Sequence, residues 1–138
     1  ATVAGGGLAQ AGEEYAVMYL TNTMVALNTA PAAPDVSGPG GNEYENVIAS
    51  HSLIGDGTGS DQENTGGNLV GNVEPYTAAI DPRIGALATN GGPTRTHALQ
   101  TGSPAIDAAS SDLCPATDQR DVSRPQGAGC DIGSFERE

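Results

Sequence analysis

Hydrophobic and polar positions along the chain fall into short β-like runs separated by turn residues. Residues 15–28 (YAVMYLTNTMVALN) are rich in β-formers and small polar side chains, contain no Gly or Pro, and predict one or two short strands. A turn region follows over residues 31–41. Residues 44–54 (YENVIASHSLI) predict another strand pair, ending in Gly55-Asp56-Gly57. The two segments read as one repeated unit. At an offset of 29 residues, Thr21-Asn22-Thr23-Met24-Val25-Ala26 falls on Ser50-His51-Ser52-Leu53-Ile54-Gly55. Each position keeps its kind: hydroxyl, polar, hydroxyl, aliphatic, aliphatic, small.

A unit of this length, with short strands and Gly-marked corners, predicts one coil of a β-solenoid. Such a coil has too small an apolar face to be stable alone, and stacking puts like residue on like in one narrow core. Asn22, Asn28 and Asn46 lie in or beside the strands and are expected to form a side-chain ladder from coil to coil. Past residue 65 the period fades. Residues 68–71 (NLVG) predict a short strand, residues 79–85 an extended turn, and Asn90-Gly91-Gly92-Pro93 a tight turn. Residues 96–99 (THAL) suit a strand or one helical turn. Residues 129–136 (GCDIGSFE) predict a last short strand.

Composition changes the picture in three ways. Of 138 residues, 20 are Gly and 9 are Pro, which disfavours a helical bundle. One Phe, four Tyr and no Trp leave the core to small aliphatic side chains. The formal charge is −12, every base is Arg, and all five Arg lie from residue 83 onward. No basic patch therefore suits nucleic acid, and no apolar run reaches the ~20 residues of a membrane span. Residues 1–82 hold ten acids and no base, a half expected to repel itself or to bind cations.

Candidate chemistry is sparse. Cys114 and Cys130 flank a Gly/Pro-rich stretch without metal-ligand spacing or a CxxC motif, so a disulfide is expected, with a loop-closure effect of about 3 kcal/mol. A disulfide in turn suggests an oxidising, extracellular compartment. Within or beside that loop, Arg120 and Arg124 are expected to clamp it through Asp107, Asp118 or Asp131, because guanidinium forks pair with carboxylates in two places at once. Asp56, Asp61 and Glu63 sit in an oxygen-rich Gly turn that suits calcium, shared with Glu43 or Glu45. A catalytic triad on Ser50 or Ser103 with His51 or His97 lacks any supporting motif.

Seven ordered segments carry a resemblance: Ile80-Asp81-Pro82-Arg83-Ile84-Gly85, Asn90-Gly91-Gly92-Pro93-Thr94, Thr96-His97-Ala98-Leu99, Gly102-Ser103-Pro104-Ala105-Ile106-Asp107-Ala108, Thr117-Asp118-Gln119-Arg120, Arg124-Pro125-Gln126-Gly127 and Cys130-Asp131-Ile132-Gly133-Ser134-Phe135-Glu136. The series resembles the choice-of-anchor C-terminal domain of bacterial secreted β-helix proteins. Residues 5–8 and 20–25 resemble the last coils that precede it. Asp121 and Ser134 depart from the family pattern, as does an end at Glu138 where the family pattern continues into an anchor; Asp121 is expected to tolerate the left-handed backbone of the Gly it replaces.

The resemblance implies an extracellular, bacterial cell-surface location and no catalytic residues. The expected fold is all-β: terminal coils of a right-handed parallel β-helix over residues 1–66, then an irregular, disulfide-closed C-terminal cap over residues 67–138, packed as one domain. The expected function is a non-enzymatic structural module that caps a β-helix surface protein or stacks end to end with copies of itself. The residues at the N-terminal end carry no capping device and are expected to continue into a longer chain or dock on a partner. The alternatives are a domain that binds or cleaves surface glycans and a calcium-dependent adhesion module.

Overall fold

The computed structural model describes residues 7–9, 17–37 and 46–138. The readings placed on residues 5–6, 15–16, 38–41 and 43–45 lie outside them, as does the side chain of Asn46. Among the described residues seven short strands are formed: β1 (Leu8–Ala9), β2 (Val17–Thr21), β3 (Met24–Val25), β4 (Val36–Ser37), β5 (Asn46–Ser50), β6 (Leu53–Ile54) and β7 (Leu69–Val70). They make three parallel sheets, β1–β4, β2–β5 and β3–β6–β7. The offset read from sequence is the strand register: Thr21 pairs Ser50, and Met24 and Val25 pair Leu53 and Ile54.

Parallel pairing in register puts like on like. Met18 faces Val47 and Leu20 faces Ala49 on the inner side of β2–β5, while Tyr19 and Ile48 pair on the outer side. Leu20, Val25, Val36, Val47, Ile54 and Val70 form a first core drawn from all three sheets. The three-stranded sheet is apolar on both faces. Val25, Ile54 and Val70 face the first core; Met24, Leu53 and Leu69 face a second, completed by Leu99, Ala105, Ile132 and Phe135. Alternation along a strand makes this possible, since successive side chains point to opposite faces.

The corners repeat as well. Asn22 and His51, equivalent in register, adopt left-handed φ of 49° and 46°, and Gly67 takes φ 77° before β7. β7 pairs β6 at an offset of 16 residues (Leu53↔Leu69), so the repeat is a shortened one. That shortening corrects the expected fold. A further coil would have to add a strand to every sheet, but the 16-residue step adds one only to β3–β6–β7. The other two sheets stop at two strands, and no closed solenoid is built among the described residues. The molecule is a set of short parallel sheets with a strand-poor C-terminal half, not terminal coils of a right-handed parallel β-helix.

That half is held by three isolated antiparallel bridges (Ile84↔Leu99, Ala88↔Thr96, Thr117↔Ser123) and by turns. Residues 96–99 are therefore extended, and residues 129–136 form no strand. The expected asparagine ladder is also corrected. Asn22 bridges to the C-terminal half, accepting from Ser110 N and donating to Leu113 O, and Asn28 binds Asp35. No helix among the described residues is long and apolar enough to cross a membrane.

Candidate functional site

Three places gather polar chemistry: the C-terminal clamp, the sealed sheet edges, and a groove beside β3. The clamp starts from the Cys114–Cys130 disulfide, whose Cα atoms lie 6.2 Å apart, within the span a disulfide bridges. Inside the loop, Asp118 occupies a tight turn and accepts from the N–H groups of Arg120 (2.6 Å), Val122 (3.1 Å) and Glu136 (2.9 Å). Arg120 returns on it through Nε at 2.9 Å, donates to Asn90 O and Glu136 O, and lies 3.7 Å over the Phe135 ring. Burial alone pushes the Asp118 carboxyl up, but the amides of Glu136 and Arg120, the Arg120 side chain and the Val122 amide outweigh it and hold the group below its ordinary value. Asp121 follows at φ 68°, the left-handed backbone its position calls for.

Arg124 works differently from the expectation. Its fork donates to the carbonyls of Asp131 (2.8 Å) and Gly133 (2.7 Å), and its nearest carboxylate is Glu136 at 3.5 Å. Asp131 and Asp107 pair with no arginine; they accept backbone N–H groups, Asp107 N and Arg137 N on Asp131, and Gly129 N on Asp107. Glu136, fully buried, accepts from Gln126 N and Asp131 N. It was not singled out from sequence, and neither was buried Asp35, which accepts from Asn28 and from Asp56 N. Both carboxylates fasten backbone.

In the oxygen-rich turn the carboxylate of Asp56 is engaged within the fold. Asp56 accepts from Thr58 N at 2.9 Å and Asn72 Nδ2 at 2.8 Å. Burial raises its carboxyl, yet those hydrogen bonds bring it below its ordinary value. Among the described residues no three His, Cys, Asp or Glu side chains come together to hold a metal ion. The expected group of Asp56, Asp61 and Glu63 is thus not assembled.

The residues that follow do something else. In β5 the carbonyls of Val47 and Ala49 face away from β2. They are taken by side-chain amides, Gln62 Nε2 on Val47 O at 2.5 Å and Asn68 Nδ2 on Ala49 O at 2.9 Å. In β7, Val70 faces away from β6, and Asn64 takes both its groups: Oδ1 accepts from Val70 N at 2.6 Å and Nδ2 donates to Val70 O at 3.0 Å. One Asn amide thus stands in for the peptide group of a next strand.

On the first-strand side the outward carbonyls beside Met24 are taken as well, Asn22 O by Gly133 N at 2.9 Å and Ala26 O by Asn28 Nδ2 at 3.3 Å. β1, β2 and β3 each have one sheet neighbour among the described residues. Beside β3 lies a groove of about 770 Å³, floored by Met24, Leu99, Ile132 and Phe135 and rimmed by Leu27, Leu87, Arg95 and His97. No residue of β6 or β7 lines it, so it opens at the β3 side of the second core. The serines and histidines weighed from sequence are engaged elsewhere: Ser103 Oγ donates to Pro82 O, and His97 Nδ1 lies 2.7 Å from Gly85 O. Ser50 Oγ does meet His51 Nδ1 at 3.1 Å, at a strand corner.

Compared with known proteins, the chain matches no family model, no curated protein and no solved structure.

Proposed function

We propose that the chain is a non-enzymatic extracellular structural module that terminates parallel sheets. The observation that carries this reading is the sealing of β5 and β7 by Gln62, Asn64 and Asn68. An exposed strand edge recruits further strands, and proteins that must stop there blunt it. Here the blunting is by side-chain amides that satisfy the edge groups in place of another chain. Capping is favoured over end-to-end self-stacking, because a second copy arriving at β7 finds Val70 already paired. The Cys114–Cys130 bridge supports an oxidising, extracellular setting. The resemblance of residues 80–136 to choice-of-anchor domains supports a bacterial cell-surface location.

The test is the sealed edge itself. In hydrogen exchange by NMR, the Val70 amide should be protected to the level of the Leu69 and Gly71 amides, which pair with β6. Asn64→Leu should abolish that protection and give concentration-dependent association in native sizing. An Asn64→Leu protein that stays folded, monomeric and protected at Val70 would sink the reading.

A further inference from the structure

We propose that the outward edge of β2 is the docking site for an uncharged last strand of a parallel sheet in a partner protein. The proposal rests on the terminating role argued above and names the strand at which the terminated sheet would join.

Three observations carry it. First, β2 has an unpaired edge among the described residues. Asn22 N donates to Ser50 O, which sets the phase of the ladder. Residues 18 and 20 therefore turn their peptide groups to β5, and Val17, Tyr19 and Thr21 turn theirs away. Thr21 O accepts from Thr23 Oγ1 at 2.8 Å. Val17 O, both peptide groups of Tyr19 and Thr21 N meet no partner among the described residues. By contrast, the outward carbonyls beside β3 and in β5, and both outward groups of Val70 in β7, are taken. Second, this edge lacks the devices that keep edges apart, which are charge, Pro and a covering loop. In a chain of −12, β2 (VMYLT) and β5 (NVIAS) hold no charged residue and no Pro. Their outer face exposes Val17 at 43%, Tyr19 at 72% and Ile48 at 44%. Third, the rows state what a further strand must carry. Met18–Val47 and Leu20–Ala49 are apolar on the inner side, and Tyr19–Ile48 is apolar on the outer side. An uncharged segment, apolar at successive positions and running parallel, extends all three rows while bonding the four open peptide groups. That is strand addition, in which main-chain bonds give affinity and side-chain rows give choice. A second copy adding in parallel is disfavoured, because its own outward groups at β5 and β7 are held by Gln62, Asn68 and Asn64. Two copies meeting β2 to β2 would bring two chains of −12 together.

The probe is a capped, fluorescently labelled peptide copying residues 46–52 (NVIASHS), which carries the required rows. In the free protein the Tyr19 and Thr21 amides should exchange fast, unlike those of Met18 and Leu20, which face β5. Anisotropy titration should show saturable binding, and the Tyr19 and Thr21 amides should then gain protection. N-methylation of the peptide at its Val and Ala positions, which would face β2 in the register of β5, should abolish binding; N-methylation at its Ile and Ser positions should leave it. Tyr19→Lys should weaken binding roughly tenfold or more, the usual scale for losing an apolar contact. Tyr19→Pro removes only an N–H that faces away from β5, a position where an edge strand tolerates Pro, and should abolish binding in a folded protein. Tyr76→Lys, on an exposed tyrosine outside the sheet, should change nothing. Protected Tyr19 and Thr21 amides in the free protein, no saturable binding, equal effects of the two N-methylated peptides, or a wild-type dimer lost on Tyr19→Lys in native sizing would each overturn the proposal. If Val70 remains protected while the peptide fails, the docking inference falls and the terminating role stands.

Discussion

Asp118 shows how single carboxylates hold a strand-poor region. It gathers three N–H groups and one guanidinium around a turn that has no ladder to satisfy them. Arg120 is almost buried, its side chain 8% exposed, and its partner Asp118 is fully buried. Removing one member of such a pair leaves the other desolvated, so Arg120→Ala should cost about 3 kcal/mol or more in urea unfolding. Arg120→Lys should recover only a minor part, because the three donors of an ammonium sit on one nitrogen, whereas Arg120 reaches Asp118, Asn90 and Glu136 from Nε, Nη1 and Nη2. The depressed Asp118 carboxyl fixes the sign of the pH effect. Its contribution is present above the unfolded value of about 4 and disappears as pH falls through the lower folded value. Unfolding midpoints should therefore fall more steeply below about pH 4 in wild type than in Asp118→Asn, which should already be destabilised at pH 7. A parallel pair of titration curves would remove Asp118 from the account. Sequence left Arg120 and Arg124 with three candidate carboxylates, Asp107, Asp118 and Asp131, and Asp118 is the one bonded to Arg120. Glu136 was not legible from sequence, because its partners, Gln126 N and Asp131 N, are backbone groups that sequence does not label.

At the scale of elements, the repeat was readable where its period was constant. The 29-residue offset became register in β2–β5 and β3–β6, and residues 21–26 keep their side-chain classes at 50–55. The third unit, Gly66-Gly67-Asn68-Leu69-Val70-Gly71, keeps only the aliphatic, aliphatic, small part of the pattern and sits at an offset of 16, so a fixed-period comparison missed it and found only an isolated strand. The same shortening prevented a closed coil, which is why local pattern identified strands correctly and overshot the architecture. Gly71 marks the closest packing in this unit. A Cβ there would collide with Gly55 O, Ile80 N and Ala79 Cα, all backbone atoms that cannot swing aside. Gly71→Ala should destabilise by about 2 kcal/mol or more. Gly85→Ala, whose nearest neighbour would be Ala98 O at 3.6 Å, should stay within about 0.5 kcal/mol. Equal urea midpoints for the two variants would show that the β7 corner is looser than this packing requires.

The whole molecule divides its stabilising devices unequally. The sheets share an aliphatic first core, whereas the C-terminal half joins the second core through a handful of side chains, the Arg–carboxylate clamps and one disulfide. The −10 carried by residues 1–82 meets no base within that half, so the five Arg of the remainder carry the positive charge of the entire chain. Elements with fewer buried apolar contacts open at lower free energy than a packed core. Loss of the disulfide should therefore act first on the loop it closes. Cys114→Ser with Cys130→Ser should lower global stability by about 3 kcal/mol, the loop-closure value for some fifteen residues. Hydrogen exchange should show where: amides of Asp118, Gln119 and Arg124, bonded across or out of the loop, should lose protection ahead of Leu53 and Gly55 in the central sheet. Uniform loss across both sets would mean that the clamp and the sheets unfold as one cooperative unit. The second core would then transmit the loop's constraint through Ile132 and Phe135 directly into β3 and β6.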